Sequence, residues 1–256
     1  MYKLSMIKLP LYIVSALPVF YAWRASGFRR TDVFIAALMF VMLAQLVMNV
    51  QMDLKDMKRG LECRESEPFL SVGPCYAKAL KGTRALVEIS YIAMAVAALY
   101  VLAATRNPAL VLYGLAAILL MVAYLRKPLE LYVRGLGEIS TFFDFGPILV
   151  LGSLSAFGAL PNLRAVLASI GFGLAASSIR YSHHLPEDHE GSRRRRLYPA
   201  AHAAMIILSA FMLLNPMTVM IALLPATAVS LYAVRGRLRA WADIIYLLLF
   251  FILSLL

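Results

Sequence analysis

The chain of 256 residues is 62% hydrophobic and only 15% charged, and its mean hydropathy of +0.77 excludes a soluble globular domain of this length. The formal net charge of +11 is explained more simply by the inner loops of a membrane protein than by nucleic-acid binding, so we expect no nucleic-acid partner. The apolar runs do not alternate with polar residues, as the strands of a membrane barrel would. The sequence therefore predicts an all-α polytopic membrane protein.

Apolar segments of membrane-spanning length recur along the whole chain and predict about nine transmembrane helices in a single domain, residues 1–256. Pro108, Pro161 and Pro216 mark three short connections, where a missing N–H costs least. The first segment has too long an apolar core for a cleaved signal peptide, so we expect it to be a span. The predicted spans are residues 9–26, 32–51, 85–104, 108–125, 139–158, 162–180, 199–215, 217–234 and 240–256.

The distribution of Lys and Arg predicts the orientation of these spans. With the N-terminus in the cytoplasm, all but five of the 25 Lys and Arg residues lie on the inner side, in accord with the positive-inside rule. Most of the 14 carboxylates also fall in the inner loops. We therefore predict an integral protein of the cell membrane whose active site faces the cytoplasm. The five outer cations are Arg24, Arg29, Arg30, Arg106 and Arg164.

The first inner loop begins with a stripe of polar residues. On a helix, Gln45, Asn49, Asp53 and Asp56 share one face at the end of the second predicted span. The stripe offers oxygen ligands without His or Cys, and such a set suits Mg²⁺, which binds one or two carboxylates together with substrate phosphates. A charged helix end with surface ion pairs has the same composition, so both interpretations stay open at this point.

A second acidic segment, in the third inner loop, has the same frame. The first segment reads NVQMDLKDMKR, and HHLPEDHEGSR follows 134 residues later, each after an even-numbered span. This similarity predicts two repeat-related halves, roughly residues 1–125 and 126–256. Acids in both segments can hold two Mg²⁺ ions against one diphosphate, with nearby Lys and Arg on its other oxygens. The aligned pairs are Asn49 with His183, Asp53 with Glu187, Asp56 with Glu190 and Arg59 with Arg193.

Two further polar residues fall within predicted spans. Asp144 lies a turn inside the fifth span, where a carboxylate is costly; it is either functional or makes a helix-packing hydrogen bond. The four histidines show no zinc-site spacing, and we expect only His202 to face the core.

Two stretches of the chain resemble the UbiA superfamily of intramembrane aromatic prenyltransferases, most closely its 1,4-dihydroxy-2-naphthoate (menaquinone-synthesis) branch. The branch motif N-x-x-N-D-x-x-D-[FY]-x-x-G-x-D is similar to NVQMDLKDMKRGLE, and Met52 and Glu62 are among the departures of this sequence from it. YLRKPLELYVRGLGEISTFFDFGP is similar to the branch segment Tyr-x₃-Pro followed by Arg-Gly-Leu-Gly-Glu and Phe-Gly-Pro. The third loop, LPEDHEGSRRRR, lacks the usual Asp-x₃-Asp. The matching residues are Asn49, Asp53, Asp56, Gly60, Tyr124, Pro128, Arg134, Gly135, Leu136, Gly137, Glu138, Gly146 and Pro147.

The resemblance implies a UbiA-type helical bundle. It also implies Mg²⁺-dependent transfer of a polyprenyl group from polyprenyl diphosphate to a dihydroxynaphthoate-like aromatic acceptor within the bilayer. The catalytic residues expected from it are Asn49, Asp53, Asp56, Glu187 and Asp188, the same five residues with Glu190 are the expected metal ligands, and the expected diphosphate ligands are Lys55, Arg59, Lys127, Arg134 and Arg193.

Three alternatives stay open. The first is prenyl transfer to another acceptor of the same superfamily, such as an archaeal lipid precursor, a haem or a chlorin, although those branches usually space the first two acids differently from Asp53 and Asp56. The second is a transporter, whose polar site would lie near the midplane of the membrane and not at one face. The third is a membrane paralogue without catalytic activity.

Overall fold

The computed structural model describes residues 9–58, 80–131, 134, 136–184, 192–213 and 239–255. All regular secondary structure in these ranges is helical, so the prediction of an all-α protein is confirmed for this part of the chain. The helices in these ranges are α1 (Leu9–Ala25), α2 (Thr31–Lys58), α3 (Leu80–Thr105), α4 (Ala109–Leu125), α5 (Gly137–Phe143), α6 (Leu149–Ala156), α7 (Leu163–His184), α8 (Ser192–Phe211) and α9 (Arg239–Ser254). A π-helical turn, Asp144–Ile148, joins α5 to α6.

Four helical stretches in the described residues are long and apolar enough to cross a membrane. The helices α1, α4, α8 and α9 contain shorter apolar segments. These lengths support transmembrane-helix character, whereas the count of nine spans, the orientation and the two-repeat organisation stay predictions. The predicted span 217–234 lies outside the described residues. The four membrane-length stretches are Thr31–Met52, Arg84–Thr105, Gly137–Ala156 and Leu163–Tyr181.

One face of α3 is apolar and uncovered within the structure. Ile89, Ile92, Val96 and Leu99 recur at helical spacing and are between 59% and 66% exposed. Exposure of apolar surface to water costs about 25 cal/mol per Å², so an aqueous environment would disfavour this face. The hydrocarbon of a bilayer is the environment that such a face matches.

The structure divides into two compact units, and α2 and α3 pack together in the first, which also contains the start of α1 as far as Ala16. At the first turn of α2, Asp32 accepts a hydrogen bond from Tyr100 Oη at 3.0 Å and forms an ion pair with Arg30 Nη2 at 3.2 Å. Arg30 also donates to the carbonyl oxygen of Ala104 at 3.2 Å. These contacts hold the start of α2 against the last turns of α3.

The second unit contains the end of α1 and the described residues from Asn107 onward, and α7 is its central helix. Its membrane-length window is 61% buried, because α5, α6, α8 and α9 all pack against it. A Cβ on Gly146 would lie 2.5 Å from the carbonyl oxygen of Ser169, and a Cβ on Gly173 would lie 2.5 Å from that of Phe142. Glycine at these two positions therefore permits the close helix crossing.

Left-handed glycines end two helices of this second unit. At the end of α1, Gly27 has a φ of +76°, and the N–H of Phe28 donates to the carbonyl oxygen of Trp23 at 2.9 Å. The rings of Trp23 and Phe28 also pack edge to face, 4.9 Å apart. Gly158 ends α6 with a φ of +72°. A hydrogen-bonded turn of this kind satisfies carbonyl groups that the helix leaves unpaired, and it needs a residue that tolerates positive φ.

A buried polar seam joins α8 to α9. His202 Nε2 lies 2.7 Å from Asp243 Oδ1, and both side chains are fully buried. One turn further along α9, Tyr246 Oη pairs with the hydroxyl of Ser209 and donates to the carbonyl oxygen of Ile206 at 2.9 Å. The prediction that His202 faces the core is confirmed. Its acid partner, Asp243, lies on α9, and the sequence pattern gave no indication of this contact.

Loss of one member of the His202–Asp243 pair should destabilise the protein more than loss of both members. We expect Asp243→Leu to destabilise the protein by about 3–5 kcal/mol, because it leaves His202 without its buried acid partner. The double variant with His202→Leu should recover most of this loss. Thermal unfolding of the detergent-purified proteins measures both effects, and a double variant no more stable than Asp243→Leu would contradict the prediction.

The predicted orientation can be tested by labelling single cysteines in a background where Cys63 and Cys75 are replaced by serine. A membrane-impermeant maleimide applied to intact cells should leave cysteine at position 66 or 192 unlabelled, because the positive-inside rule assigns both to the cytoplasm. Cysteine at position 107 or 215 should react. Finding positions 66 and 192 on opposite sides of the membrane would separate the two acidic segments and contradict a shared site.

Candidate functional site

The polar stripe at the end of α2 lies on one unbroken helix. Because α2 continues to Lys58, Asn49, Asp53 and Asp56 occupy one face of consecutive turns, as the spacing predicts. The helix therefore carries its polar face from the end of a membrane-length segment, Thr31–Met52, into a charged segment. The side chains of residues 53–58 lie outside the described part of the structure, so these two acids are located by their helix positions alone.

Asn49 is the last residue of this stripe whose side chain the structure describes. Its side chain is only 4% exposed and accepts a hydrogen bond at Oδ1 from Gln45 Nε2, at 3.0 Å. Gln45 Oε1 in turn accepts a hydrogen bond from Ser15 Oγ on α1, at 2.9 Å. A chain of three polar side chains thus connects α1 to the predicted site within the first unit.

The amide nitrogen of Asn49 is the last polar group of this hydrogen-bond chain. Nδ2 is buried, and no group among the described residues accepts a hydrogen bond from it. A buried donor without an acceptor costs about 1–3 kcal/mol. The next position on the same helix face is that of Asp53. The end of α2 therefore offers a buried donor for an oxygen atom at the point where the acidic residues begin.

The donor set at this helix end fits Mg²⁺ in its chemistry. Asp53 and Asp56 supply carboxylate oxygens, and Mg²⁺ is commonly held by one or two carboxylates while water and phosphate oxygens fill the other positions. Asn49 fits less well as a ligand in the observed orientation, because its carbonyl oxygen is engaged by Gln45. Among the described residues, no group of three or more His, Cys, Asp and Glu side chains converges in a metal-binding cluster. Most of the predicted ligands lie outside that set.

Arg180 on α7 is enclosed by residues of the second motif stretch, all within the second unit. Its guanidinium carbon lies 4.8 Å from the ring centre of Tyr124, and Nη1 donates to the Tyr124 hydroxyl. Nε lies 3.9 Å from Glu138 Oε1, and a Cβ on Gly137 would overlap the guanidinium group. The carbonyl oxygen of Glu138 accepts a hydrogen bond from Ser177 Oγ at 2.9 Å. Since only 9% of the Arg180 side chain is exposed, these groups replace the water around its charge.

Two predicted diphosphate ligands, Lys127 and Arg134, lie in the connection between α4 and α5 and are exposed. Arg134 Nη2 donates to the carbonyl oxygen of Pro128 at 2.7 Å. The N–H of Leu131 donates to the carbonyl oxygen of Ala123 at 3.1 Å and folds the connection back onto the end of α4. Arg134 therefore shapes its own loop with one donor, and a guanidinium has further donors for a ligand.

The remaining predicted site residues are only partly located. Lys55 lies in the last turns of α2 and Arg193 in the first turn of α8, but their side chains are outside the described structure. The structure does not describe four of the predicted residues: Arg59, Glu187, Asp188 and Glu190. The structure thus brings Gln45 and Asn49 together and leaves the convergence of the two acidic segments a prediction.

Asp144 begins the π-helical turn between α5 and α6. Ser140 Oγ lies 3.5 Å from Asp144 Oδ2, at the limit of hydrogen-bond distance, and both residues belong to the same helical run. This contact is local and does not join two helices. Both interpretations of Asp144 from the sequence therefore stay open.

The sequence interpretation missed the contacts of Ser15, which bonds the polar stripe of α2, and of Arg180, which contacts the second motif stretch. Ser15 lies in an apolar helix and has no motif around it, so no sequence signal marks it. Arg180 counts among the inner cations, but its contact with Tyr124 and Glu138 follows from the packing of α7. A buried cation in a membrane-length helix was the available signal.

No protein-family model matches the chain, and neither a curated protein nor a solved structure does. The resemblance to the UbiA superfamily therefore stays a prediction from the two motif stretches, residues 49–62 and 124–147.

The enclosure of Arg180 requires glycine at position 137. We expect Gly137→Ala to lower thermal stability, because the added methyl group would overlap the guanidinium and push it away from Tyr124. The matched control is Gly114→Ala on α4, where an added Cβ meets no atom within 4 Å. The control should be neutral or stabilised by up to about 1 kcal/mol, since alanine favours helix over glycine. Equal melting temperatures for the two variants would show that Arg180 can leave its enclosure without cost.

Proposed function

We propose that the chain is a Mg²⁺-dependent membrane prenyltransferase of the UbiA type. It transfers the polyprenyl group of polyprenyl diphosphate to an electron-rich aromatic acceptor, of the dihydroxynaphthoate kind used in quinone biosynthesis. The reaction takes place at the cytoplasmic ends of the helices, with the prenyl tail in the bilayer. This substrate has an apolar tail and a charged head, and the charged end of an apolar helix suits both parts.

One observation carries this proposal. At the end of α2, a membrane-length apolar helix, a buried amide whose Nδ2 has no acceptor among the described residues is followed on the same face by two acids. A surface helix end would leave such an amide in water, whereas Asn49 is 4% exposed and anchored by Gln45. Burial of an oriented polar group just before a pair of carboxylates is typical of a site that binds a charged ligand.

The residues at this site have separate tasks in the proposed reaction. Asp53 and Asp56 would hold Mg²⁺, which when bound supplies positive charge against the diphosphate. Lys55, Arg59 and Arg193 would take the other diphosphate oxygens, because charge-assisted hydrogen bonds stabilise the leaving group as it departs. The C–O bond of the prenyl diphosphate then breaks, the allylic carbon is attacked by the aromatic ring, and the ring loses a proton.

The connection between α4 and α5, in the second unit, carries two of the proposed diphosphate ligands. Lys127 and Arg134 are exposed there and can meet an anionic ligand, whereas Arg180 is enclosed and holds Glu138 and Tyr124 in place. We assign Arg180 to the support of this connection and not to direct contact with substrate.

Loss of either α2 carboxylate tests the proposal. We expect Asp53→Asn and Asp56→Asn each to lower kcat by about 10²–10³, by analogy with the loss of one preorganised electrostatic group. Expression and thermal stability should stay near wild type, because both positions lie at the charged end of the helix. Asp32→Asn, at the opposite end of α2, is the control and should retain wild-type turnover. Turnover is measured at limiting Mg²⁺ with purified protein and labelled polyprenyl diphosphate, and wild-type rates in Asp53→Asn would contradict the assignment.

The same assay separates the proposed function from its alternatives. Release of diphosphate that requires both Mg²⁺ and an aromatic acceptor supports the proposal. Release that requires glyceryl phosphate, a haem or a chlorin would assign the chain to another transfer of the same superfamily. Absence of release with every acceptor would favour a membrane paralogue without this activity.

A further inference from the structure

The hydrogen-bond chain of Ser15, Gln45 and Asn49 has a direction. Ser15 Oγ donates to Gln45 Oε1 at 2.9 Å, and Gln45 Nε2 donates to Asn49 Oδ1 at 3.0 Å. Gln45 therefore accepts from Ser15 on α1 and donates to Asn49. The last group of the chain, Asn49 Nδ2, is a donor buried with no acceptor among the described residues.

The opposite direction is chemically possible for the same three residues. A serine hydroxyl can donate or accept, and the oxygen and nitrogen atoms of an amide exchange places when its plane turns by half a rotation. If both amides turned, Asn49 would donate to Gln45 and present its carbonyl oxygen outward. An outward carbonyl oxygen suits a cation, and an outward N–H₂ group suits an anion. The direction of the chain therefore decides which charge Asn49 can bind.

We propose that Ser15 and Gln45 are positioning residues that turn the Asn49 amide so that it donates to an anionic oxygen of the diphosphate, while Asp53 and Asp56 hold the metal without it. This inference rests on the proposed function. It changes the role of Asn49 from the metal ligand that the sequence predicts to an anion donor, and it adds two residues outside the acidic motif to the site. The buried position of Asn49 favours this role, because a hydrogen bond shielded from water is stronger than an exposed one.

Gln51 provides a matched control for Gln45. It is the same residue type on the same helix, six residues further along, and its Nε2 donates to Tyr91 Oη at 2.7 Å in an exposed position. Replacement by methionine at either position keeps the length of the side chain and removes the amide. Replacement by glutamate adds the same charge at either position, but at position 45 it can only accept, so it would draw Asn49 Nδ2 inward and turn Oδ1 toward the ligand.

The experiment measures binding of inorganic pyrophosphate, in the presence of Mg²⁺, and of Mg²⁺ alone to the detergent-purified full chain by titration calorimetry. We expect Gln45→Met to weaken pyrophosphate binding about tenfold, since the Asn49 amide is no longer oriented to donate one hydrogen bond to a charged group. Gln45→Glu should weaken it further, since it turns the Asn49 oxygen toward the anion. Binding of Mg²⁺ alone should not weaken in either variant. Gln51→Met and Gln51→Glu should bind pyrophosphate within about threefold of wild type.

Ser15 provides a second, independent pair of variants. Ser15→Ala removes the first donor and should weaken pyrophosphate binding, whereas Ser15→Thr keeps a hydroxyl and should retain wild-type affinity. If Ser15 served only in helix packing, Ser15→Ala and Ser15→Thr proteins of equal melting temperature would bind pyrophosphate with equal affinity.

The outcomes separate this inference from the proposed function. If the wild-type chain binds no pyrophosphate with Mg²⁺, the proposed function is overturned and this inference with it. If wild type binds but the Gln45 variants match their Gln51 counterparts, only the inference is overturned. Gln45→Glu binding both Mg²⁺ and pyrophosphate more tightly than wild type would identify Asn49 as a metal ligand and also overturn it.

Discussion

A polar side chain buried among apolar helices needs a hydrogen-bond partner there, because it has left the bulk water that would otherwise supply one. This constraint accounts for three groups of buried polar contacts in the described structure. His202 meets Asp243, Arg180 meets Tyr124 and Glu138, and Gln45 connects Ser15 to Asn49. Each group includes a contact between different helices, so the polar groups that are costly in an apolar interior also specify which helices pack together.

The three buried polar groups differ in what they offer to a ligand beyond their contacts within the protein. The His202–Asp243 pair is fully buried and offers a ligand no approach within the described structure. Arg180 is enclosed by an aromatic ring, an acid and the backbone at Gly137, which makes it a support for the connection before α5. Of the three, the hydrogen-bond chain on α2 ends in a buried donor, Asn49 Nδ2, without an acceptor among the described residues, one helical turn before Asp53. That difference is why the proposed ligand site is at α2.

The sequence predicted a large part of this fold. Apolar runs separated by short connections predicted the helices, and eight of the nine predicted spans coincide with helices whose backbone the structure describes. The polar stripe of α2 was also predictable, since residues three or four positions apart on a helix always share a face. His202 was expected in the core and lies there. All of these inferences use short-range geometry, which any helix of this sequence would obey.

The sequence by itself thus determined the helical class, the apolar segments and the row formed by Gln45, Asn49, Asp53 and Asp56. Only the tertiary structure decided that Ser15 anchors this row, that Arg180 binds Tyr124 and Glu138, and that Asp243 pairs with His202. These pairs are between 30 and 56 residues apart in the chain. Helix periodicity relates only residues within a few turns, whereas such distant pairs form when two helices cross at one register, and that register is set by packing of their whole faces.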